Sequence, residues 1–561
     1  MHVAATDEAG VNDLPPQART QVLVVGAGPV GLALALELGL RGVEVTVVEE
    51  RSRAGAQPRA KTTNVRSMTH MRRWGIAGAL RDAAPLPRDY PTDVVFATAL
   101  FGRQLALMPN ALAGAKRRDP RFPEPAQWAP QYIVEGVMRE RIRALPTVRL
   151  LSATSFVEAS QDGAGVRATL RELASGKTRI LRADYLVGAD GARSRVREVI
   201  GARMEGEHAF AHNFNVVLRI PELERRPPAP RAIMYWIVNS TSPGVLSPLD
   251  RGGLWAFGIM LPPGVREMPD EAILARVAAA IGRPMEMEIV IRDVWAAHRL
   301  IATRYRNGRI FLAGDACHLH PPFGGYGMNL GLADGVDLGW KLAATIAGWG
   351  GKALLDSYET ERRPVHQRTI AEAVANYAVL SAHLVKANLD EDSTEGEQAR
   401  AEVKDQIVAT KTREFYTLGV VLGSRYEHSP VIVDDGSSPP AEHHEKFEPS
   451  AHPGCLAPHA WLADGSSLYD RLGPGFTLLQ LDDDADHGAA IAAAAAKAGI
   501  PLKRLDLRAE RLRDLYGAPL ALVRPDQFVA WRGDMSDAQS LINTIRGSQP
   551  AMETIGKEAA L

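Results

Sequence analysis

Four residues near the start of the chain have the types and spacing to hold a dinucleotide. Gly26, Gly28 and Gly31 in GAGPVG satisfy G-x-G-x-x-G. In that pattern the first glycine permits a tight turn, the second lets backbone approach a pyrophosphate, and the third lets a helix pack closely on a strand. Glu49 stands at the end of the next apolar run, where a carboxylate can accept hydrogen bonds from ribose hydroxyls. The pattern predicts an adenine dinucleotide and does not choose between FAD and NAD. His318 and His320 form a His-x-His pair, but no carboxylate and third histidine stand at a ligand-like spacing nearby, so no metal is expected. His443 and His444 read as part of a solvated linker. Cys317 and Cys455, the two cysteines of the chain, are far apart. That excludes a disulfide framework or a C-x-x-C redox pair and fits a cytoplasmic setting.

The elements that must position these groups are legible around them. Gln21 to Val25 reads as a strand, LALALELGLRG as a buried helix closed by Gly42, and VEVTVVEE as a second strand. This is the βαβ context that the glycine pattern requires. Residues from about Pro85 to Pro130 lack steady periodicity and read as excursions around the core. The run FNVVLRI, RAIMYWIV, GGLWAFGIML and EIVIRDV then reads as strands of an inserted sheet. RIFLAGDACHLHPPFGGYGMNLGLADGVDLGWKLA returns to strand, glycine loop and helix, as if the first domain resumed. The expected organisation is a leader over 1–19, a Rossmann-like dinucleotide domain over 20–200 and 301–422, a β-rich substrate domain over 201–300, a linker over 423–454, and a small α/β domain over 455–561.

Bulk properties narrow the partners. The chain has 561 residues, which suggests about three to four domains. Hydrophobic residues make up 46% and charged residues 23%, the balance of a globular protein. Lys and Arg number 65 against 66 Asp and Glu; without a basic excess, nucleic acid is not an expected partner. The longest apolar window, Gly331 to Gly351, contains Asp334, Asp337 and Lys341, each too costly inside a lipid-spanning helix. No membrane segment is expected.

GADGARSRVRE and the GDACHLHPPFGGYGMN segment, following GAGPVG in that order, resemble the signatures of single-component, class A FAD-dependent aromatic hydroxylases, the group of para-hydroxybenzoate hydroxylase and phenol hydroxylase. The resemblance implies FAD as cofactor, NAD(P)H as a transient co-substrate, and O₂ and a small aromatic compound as substrates, with hydroxylation through a flavin C4a-hydroperoxide. It implies that Asp190 serves FAD and NAD(P)H, that Asp315 lies on the FAD ribitol or ribose, and that Arg59 and Gln131 contact FAD. It further implies that Gly325, Gly327, Met328 and Asn329 front the flavin and that the Pro322 carbonyl faces substrate. The chain departs from the commoner family text at Tyr326 and Cys317, and at Lys61-Thr62-Thr63, where relatives resembling phenol hydroxylase often carry an aspartate. Arg66, His212 and Tyr235 are the candidates for the group that handles the substrate hydroxyl. Tyr235, Trp236, Trp255 and Phe257 are candidates to line an apolar cavity. HAWLADGSSLYDRLGPGFTLLQLD resembles the thioredoxin-like domain appended to phenol hydroxylase, but without C-x-x-C, so packing or homodimer support is its expected role. The alternatives are a halogenase or Baeyer–Villiger-type enzyme on the same scaffold, or a non-catalytic flavin-binding protein; the W-x-W-x-I-P segment of halogenases is missing.

Overall fold

A computed structural model describes residues 18–52, 59–115, 117–260, 265, 267–482, 487–534 and 537–548. The expected leader lies outside the described residues except for its last two positions, as does the chain beyond 548.

The first strand, Arg19–Val25, is apolar on both faces and lies in the middle of a mixed sheet. Four parallel pairings build its centre, in the order Ile310–Leu312, Thr178–Gly188, Arg19–Val25, Val45–Val48, Val148–Leu151. The register pairs Val25 with Val48 and with Gly188, and Gly188 with Leu312. Four strands distant in sequence therefore end at one edge, and the residues that follow them share the crevice outside their carboxyl ends, where open α/β sheets bind ligands.

Four helices position what lies there: α1 (Pro29–Gly39), α2 (Val65–Arg73), α3 (Gly327–Ile346) and α4 (Lys352–Tyr377). Helix α1 starts with Pro29 at its first turn, where a missing N–H does no harm. Helix α3 crosses α1 through Gly331, Gly335 and Gly339, one residue per turn. A Cβ on Gly331 would lie 2.4 Å from the Val30 side chain, and one on Gly339 would lie 2.5 Å from that of Glu37. Only a side-chain-free stripe allows this approach. Asp334, Asp337 and Lys341 form a second stripe about a third of a turn away.

A second sheet has the strand order His318–Leu319, Glu288–Ala302, Met204–Arg219, Leu254–Met260, Gly244–Pro248, Met234–Ile237, Val94–Ala97, Gln104–Met108. Its last two strands come from the stretch read as excursions. Val94–Ala97 is buried at every position and Gln104–Met108 does not alternate in burial, so neither carries a period-two signal. Tyr235, Trp255 and Phe257 point to the side covered by helix Asp270–Ile281 and are core there. Trp236 takes the opposite face, as strand alternation requires, and its ring lies 6.2 Å from that of Phe323.

The C-terminal unit is a four-stranded sheet, Leu502–Asp506, Phe476–Gln480, Leu520–Val523, Val529–Gly533, flanked by helices His487–Lys497 and Ala538–Ile545. It packs on α3: Trp340 and Ala344 share a core with Phe476, Leu478 and Ile491. No described helix is long and apolar enough to cross a membrane.

Candidate active site

The crevice at the strand ends is assembled from three glycine-bearing loops. Gly26 has φ +103°, and a Cβ there would lie 2.4 Å from the Ala189 carbonyl oxygen, so the first and second signatures touch through a position only glycine fills. A Cβ on Gly31 would lie 1.9 Å from the Gly26 carbonyl oxygen, which fixes α1 against the turn. Around Gly28 a Cβ meets nothing within 4 Å. The middle glycine thus faces open space, as a residue whose backbone is to meet a pyrophosphate must. Glu49 lies beside it: one carboxylate oxygen accepts from the Ala27 N–H at 2.7 Å and the other from the Arg51 N–H at 3.0 Å.

The third loop follows strand Ile310–Leu312. Gly314 has φ +63°, with Val30 of α1 2.6 Å from a built Cβ. Asp315 beside it is exposed along the crevice. The protein packed around it pushes its carboxyl up, with His318 and Arg59 opposing. The charge of Arg59 thus acts on the Asp315 carboxyl. The segment after Arg59 pairs with the segment entering helix Gln131–Arg143: the Gln131 N–H donates to Ala60 O at 2.8 Å, and Ala129 N–H to Lys61 O at 2.8 Å. Gln131 Nε2 donates to Glu135 at 2.8 Å. Gly324 and Gly325 have φ +83° and +67°, and Gly327 and Met328 open α3. This puts the positive end of a 20-residue helix at the crevice. The residues present fit an FAD: an open backbone approach at Gly28, a carboxylate at Glu49, an exposed carboxylate at Asp315, and a helix N-terminus behind the glycine loop.

Other predicted residues have different partners. Asp190 accepts from Ser194 Oγ and from the N–H groups of Arg195 (2.8 Å) and Val196 (3.1 Å), and so anchors the short helix that follows it. The Pro322 carbonyl accepts from the Gly325 N–H at 3.2 Å and closes the turn. Asn329 is buried and spent on backbone, accepting from Asn64 N–H at 3.0 Å and donating to Thr62 O (2.9 Å) and Gly325 O (2.6 Å). It sews the Thr62–Asn64 segment to α3.

The three substrate-handling candidates are not brought together. The Tyr235 hydroxyl donates to Pro230 O (3.0 Å) and accepts from Ala232 N–H (2.7 Å), and burial raises its pKa, so it holds its own chain. Arg66 reaches Gln527 and Asp526 of the C-terminal unit, 461 and 460 residues on. His212 sits opposite Ala296, near the irregular pairing of Met204–Arg219 with Glu288–Ala302, and with His208 lowers the pKa of His298 after burial has done so.

Lys61 was noted in the sequence only as a departure. Its ammonium lies 5.7 Å from the centre of the Trp128 ring, and burial alone pushes it down to about 8. Trp128 packs with Leu86 and with Ile233, which leads into strand Met234–Ile237 of the second sheet. The residue is thus a desolvated cation between the crevice segment and the inserted sheet. Its presence after Arg59 is the signal that sequence reading could have weighed; its lack of a carboxylate partner among the described residues is a three-dimensional fact.

The ground given for setting aside a metal is corrected by the fold. Asp334 and His366 do come to His318 and Cys317, with one ligand atom from each within 4.8 Å of the others, all buried. They form a hydrogen-bonded hub. Asp334 accepts from Gly314 N–H (3.0 Å), His318 Nε2 (3.0 Å), His366 Nε2 (2.8 Å) and Arg362 Nε (2.8 Å). Burial opposes its ionisation, but His366 and Arg362 outweigh this and hold the carboxyl well below its usual range. The guanidinium already supplies the compensating charge, and the hub braces the Gly314 turn from behind.

Comparison with known proteins agrees with this geometry. A family model described as "FAD binding domain" matches residues 19–373, and one described as "Aromatic-ring hydroxylase, C-terminal" matches 450–548. The FAD-dependent monooxygenase apdD of Emericella nidulans is 31% identical over 95% of this chain and 92% of its own length. Phenol 2-monooxygenase of a Pseudomonas species is 30% identical over 93% of this chain and 90% of its own. Among solved structures, the rebeccamycin biosynthetic enzyme RebC with reduced flavin superposes with a TM-score of 0.87 at 34% identity, covering 95% of this chain and all of that one. The flavin-dependent monooxygenase PieE in complex with FAD and substrate gives 0.87 at 28% identity over 96% of this chain and all of that one.

Proposed function

The chain belongs to the FAD-binding, aromatic-ring hydroxylase family, and from that premise we propose a flavoprotein monooxygenase that uses NAD(P)H and O₂ to hydroxylate a phenolic or otherwise activated aromatic compound. The observation that carries the proposal is the convergence of three distant glycine loops on one sheet edge, with the middle glycine of the first facing open space. FAD, when bound, takes hydride from NAD(P)H and activates O₂ for transfer to the ring.

The chain's residues bind, orient and shield. The backbone at Gly28 and the guanidinium of Arg59 hold the pyrophosphate, a pairing suited to arginine's planar donors. Glu49, whose two oxygens each accept one backbone N–H and have a lone pair left, would accept from ribose hydroxyls, and Asp315 would hold the ribityl or ribose end. The first N–H groups of α3, at Gly327 and Met328, would offer a positive helix end to the flavin, where reduction develops negative charge, and so favour its reduced form. Buried Trp236 and half-buried Phe323 exclude water behind the Pro322 turn. Lys61 handles the phenol. A phenolate attacks more readily than a phenol, and a lysine brought down to about 8 can take the hydroxyl proton as the free amine, becoming the ammonium that pairs with the resulting anion. Two separate buried thiols, Cys317 and Cys455, suit a reducing cytoplasm.

The test is oxidation of NADH and NADPH by the yellow holoprotein over a panel of phenols and larger hydroxylated aromatics, with ¹⁸O₂ and mass analysis of products. One ¹⁸O atom in the ring product supports the assignment. Hydrogen peroxide alone for every aromatic offered refutes it.

A further inference from the structure

Helix α3 is clamped along its charged stripe. Lys341, fully buried, donates to Asp337 Oδ2 one turn back (2.8 Å) and to Glu361 Oε2 of α4 (2.6 Å). The remaining carboxylate oxygens, Asp337 Oδ1 and Glu361 Oε1, accept from the C-terminal unit, the latter also from Ser429 Oγ (2.5 Å). Arg524, in the turn after strand Leu520–Val523, donates from Nη1 to Glu361 Oε1 (2.7 Å), and from Nη2 to Glu361 Oε2 (2.9 Å) and Asp337 Oδ1 (3.1 Å). Asp526 holds the guanidinium from its own side at 3.0 and 2.6 Å. All five side chains are at most 2% exposed.

The same turn has a second arm. Asp526 O and Gln527 Oε1 accept from Arg66 of α2, and the Arg66 guanidinium also lies 5.6 Å from the Phe528 ring centre. Helix α2 is capped by Asn64, whose side chain accepts from the Ser67 N–H. The Asn64 N–H donates to Asn329, which also holds Thr62 and Gly325. Both arms therefore end on the two pieces of backbone that meet at Asn329 beside the glycine loop, one through α2 and the other along α3.

Buried pairs of this kind are weak evidence for stability, since desolvation offsets much of their attraction, but their directional bonds admit one docking geometry. Asp337 lies ten residues from Gly327 on α3, about 15 Å at the helical rise. A small rotation allowed at Asp337 is carried by the rigid helix to the loop.

We propose that the turn Arg524–Gln527 is a positioning element for the flavin: through this turn the C-terminal unit sets the spacing of α2 and α3 and so shapes the pocket that holds the isoalloxazine. The proposal rests on the reading that FAD occupies the crevice. It gives a C-x-x-C-free unit a task in the reaction centre beyond packing.

The experiment compares the full-length holoprotein with Gln527→Gly, Arg524→Met and Arg524→Lys. Gln527 has φ +72°, a conformation in which glycine is at ease, so Gln527→Gly weakens the Arg66 arm by its side-chain bond, leaving the bond to Asp526 O, while keeping the turn. Three quantities are read: the FAD dissociation constant by fluorescence titration, the reduction potential of bound flavin, and the melting temperature of FAD-free chain. We expect Gln527→Gly to weaken FAD about threefold with unchanged apo melting. Arg524→Met should weaken it about tenfold and move the potential to a more negative value, with Arg524→Lys recovering most of both. Wild-type affinity and potential in both Gln527→Gly and Arg524→Met would overturn the proposal. So would losses that merely track apo melting and are not rescued by lysine. If Arg524→Met does not fold, Gln527→Gly decides alone. Wild-type protein that takes up no FAD would instead overturn the cofactor reading itself.

Discussion

Replacing Lys61 with methionine separates a catalytic cation from a structural one by the sign of its effect on stability. Burial brings the Lys61 ammonium from 10.5 to about 8, a difference of about 2.5 units, or about 3 kcal/mol. The unfolded chain binds a proton at this residue up to pH 10.5, whereas the folded chain releases it near 8. Between those values the unfolded state holds more protons, so wild-type stability rises with pH across the window, and below pH 8 the whole penalty is present. Methionine keeps the stem's length and removes the charge. At pH 7 the FAD-free Lys61→Met chain should therefore be more stable than wild type by up to about 3 kcal/mol, with the two converging above pH 10.5. Activity should move the other way, with kcat/KM falling about a hundredfold and the limb of its pH profile near 8 disappearing. Urea denaturation followed by circular dichroism at pH 7, 8.5 and 10.5, beside NAD(P)H-dependent hydroxylation over the same range, measures both. A variant less stable than wild type at pH 7, with an unchanged pH profile, would show that the amine is neither desolvated nor engaged with substrate.

The glycines of the first loop should divide by role. Gly28→Ala should leave apo stability within about 0.5 kcal/mol and weaken FAD in titration, because its Cβ meets only open space. Gly31→Ala should destabilise by about 1–3 kcal/mol or more in denaturant melts, since its Cβ would press on the Gly26 carbonyl. Asp334→Asn leaves Arg362 buried without its carboxylate and should lower stability by about 3–5 kcal/mol, read as a shift in urea midpoint. On the acid side, burial brings His320 down to about 4 and His366 to about 3, while the unfolded chain protonates both near 6.5. Stability should therefore fall as pH drops below 6.5, and His320→Asn should remove about 3 kcal/mol of the loss between 6.5 and 4, measured as the pH dependence of the urea midpoint.

What the sequence disclosed was local or periodic. GAGPVG and Glu49 lie within one βαβ unit, so spacing alone implies their geometry. Asp190 and Asp315 entered through resemblance, and only the parallel register, Val25 with Gly188 and Gly188 with Leu312, explains why their loops meet the first. Arg66 was legible as a basic residue near the crevice, but its partners lie some 460 residues on, and nothing in its neighbourhood announces them. Tyr235 was an aromatic with a hydroxyl, and its bonds to Pro230 and Ala232 depend on how the loop before its strand turns. The grouping of His318 with Asp334 and His366 was hidden for a related reason: spacing along the chain does not show that His366 reaches His318 from another helix.

The charged residues of α3 show what kind of signal is left once periodicity has been used. Asp334, Asp337 and Lys341 served in the sequence only to exclude a membrane span, yet the same energetics say more. A charge in a helix whose other faces are apolar or glycine cannot point to water and must be matched by partners from elsewhere. The stripe of Gly331, Gly335 and Gly339 already commits one side to α1, so the matching groups must come over the other side. They do so from two directions. Asp334, near the crevice, is met by the histidines and Arg362 that brace the Gly314 turn, while Asp337 and Lys341, farther along, are met by Glu361 and by Arg524 of the C-terminal unit. One helix thus collects a constraint from each body it touches and delivers their resultant at its N-terminus, beside the glycine loop. A loop with two glycines at positive φ has little stiffness of its own, so the precision of the flavin pocket has to be imported along α3, and buried, directional charge pairs can supply it where an apolar contact would let the helix slide.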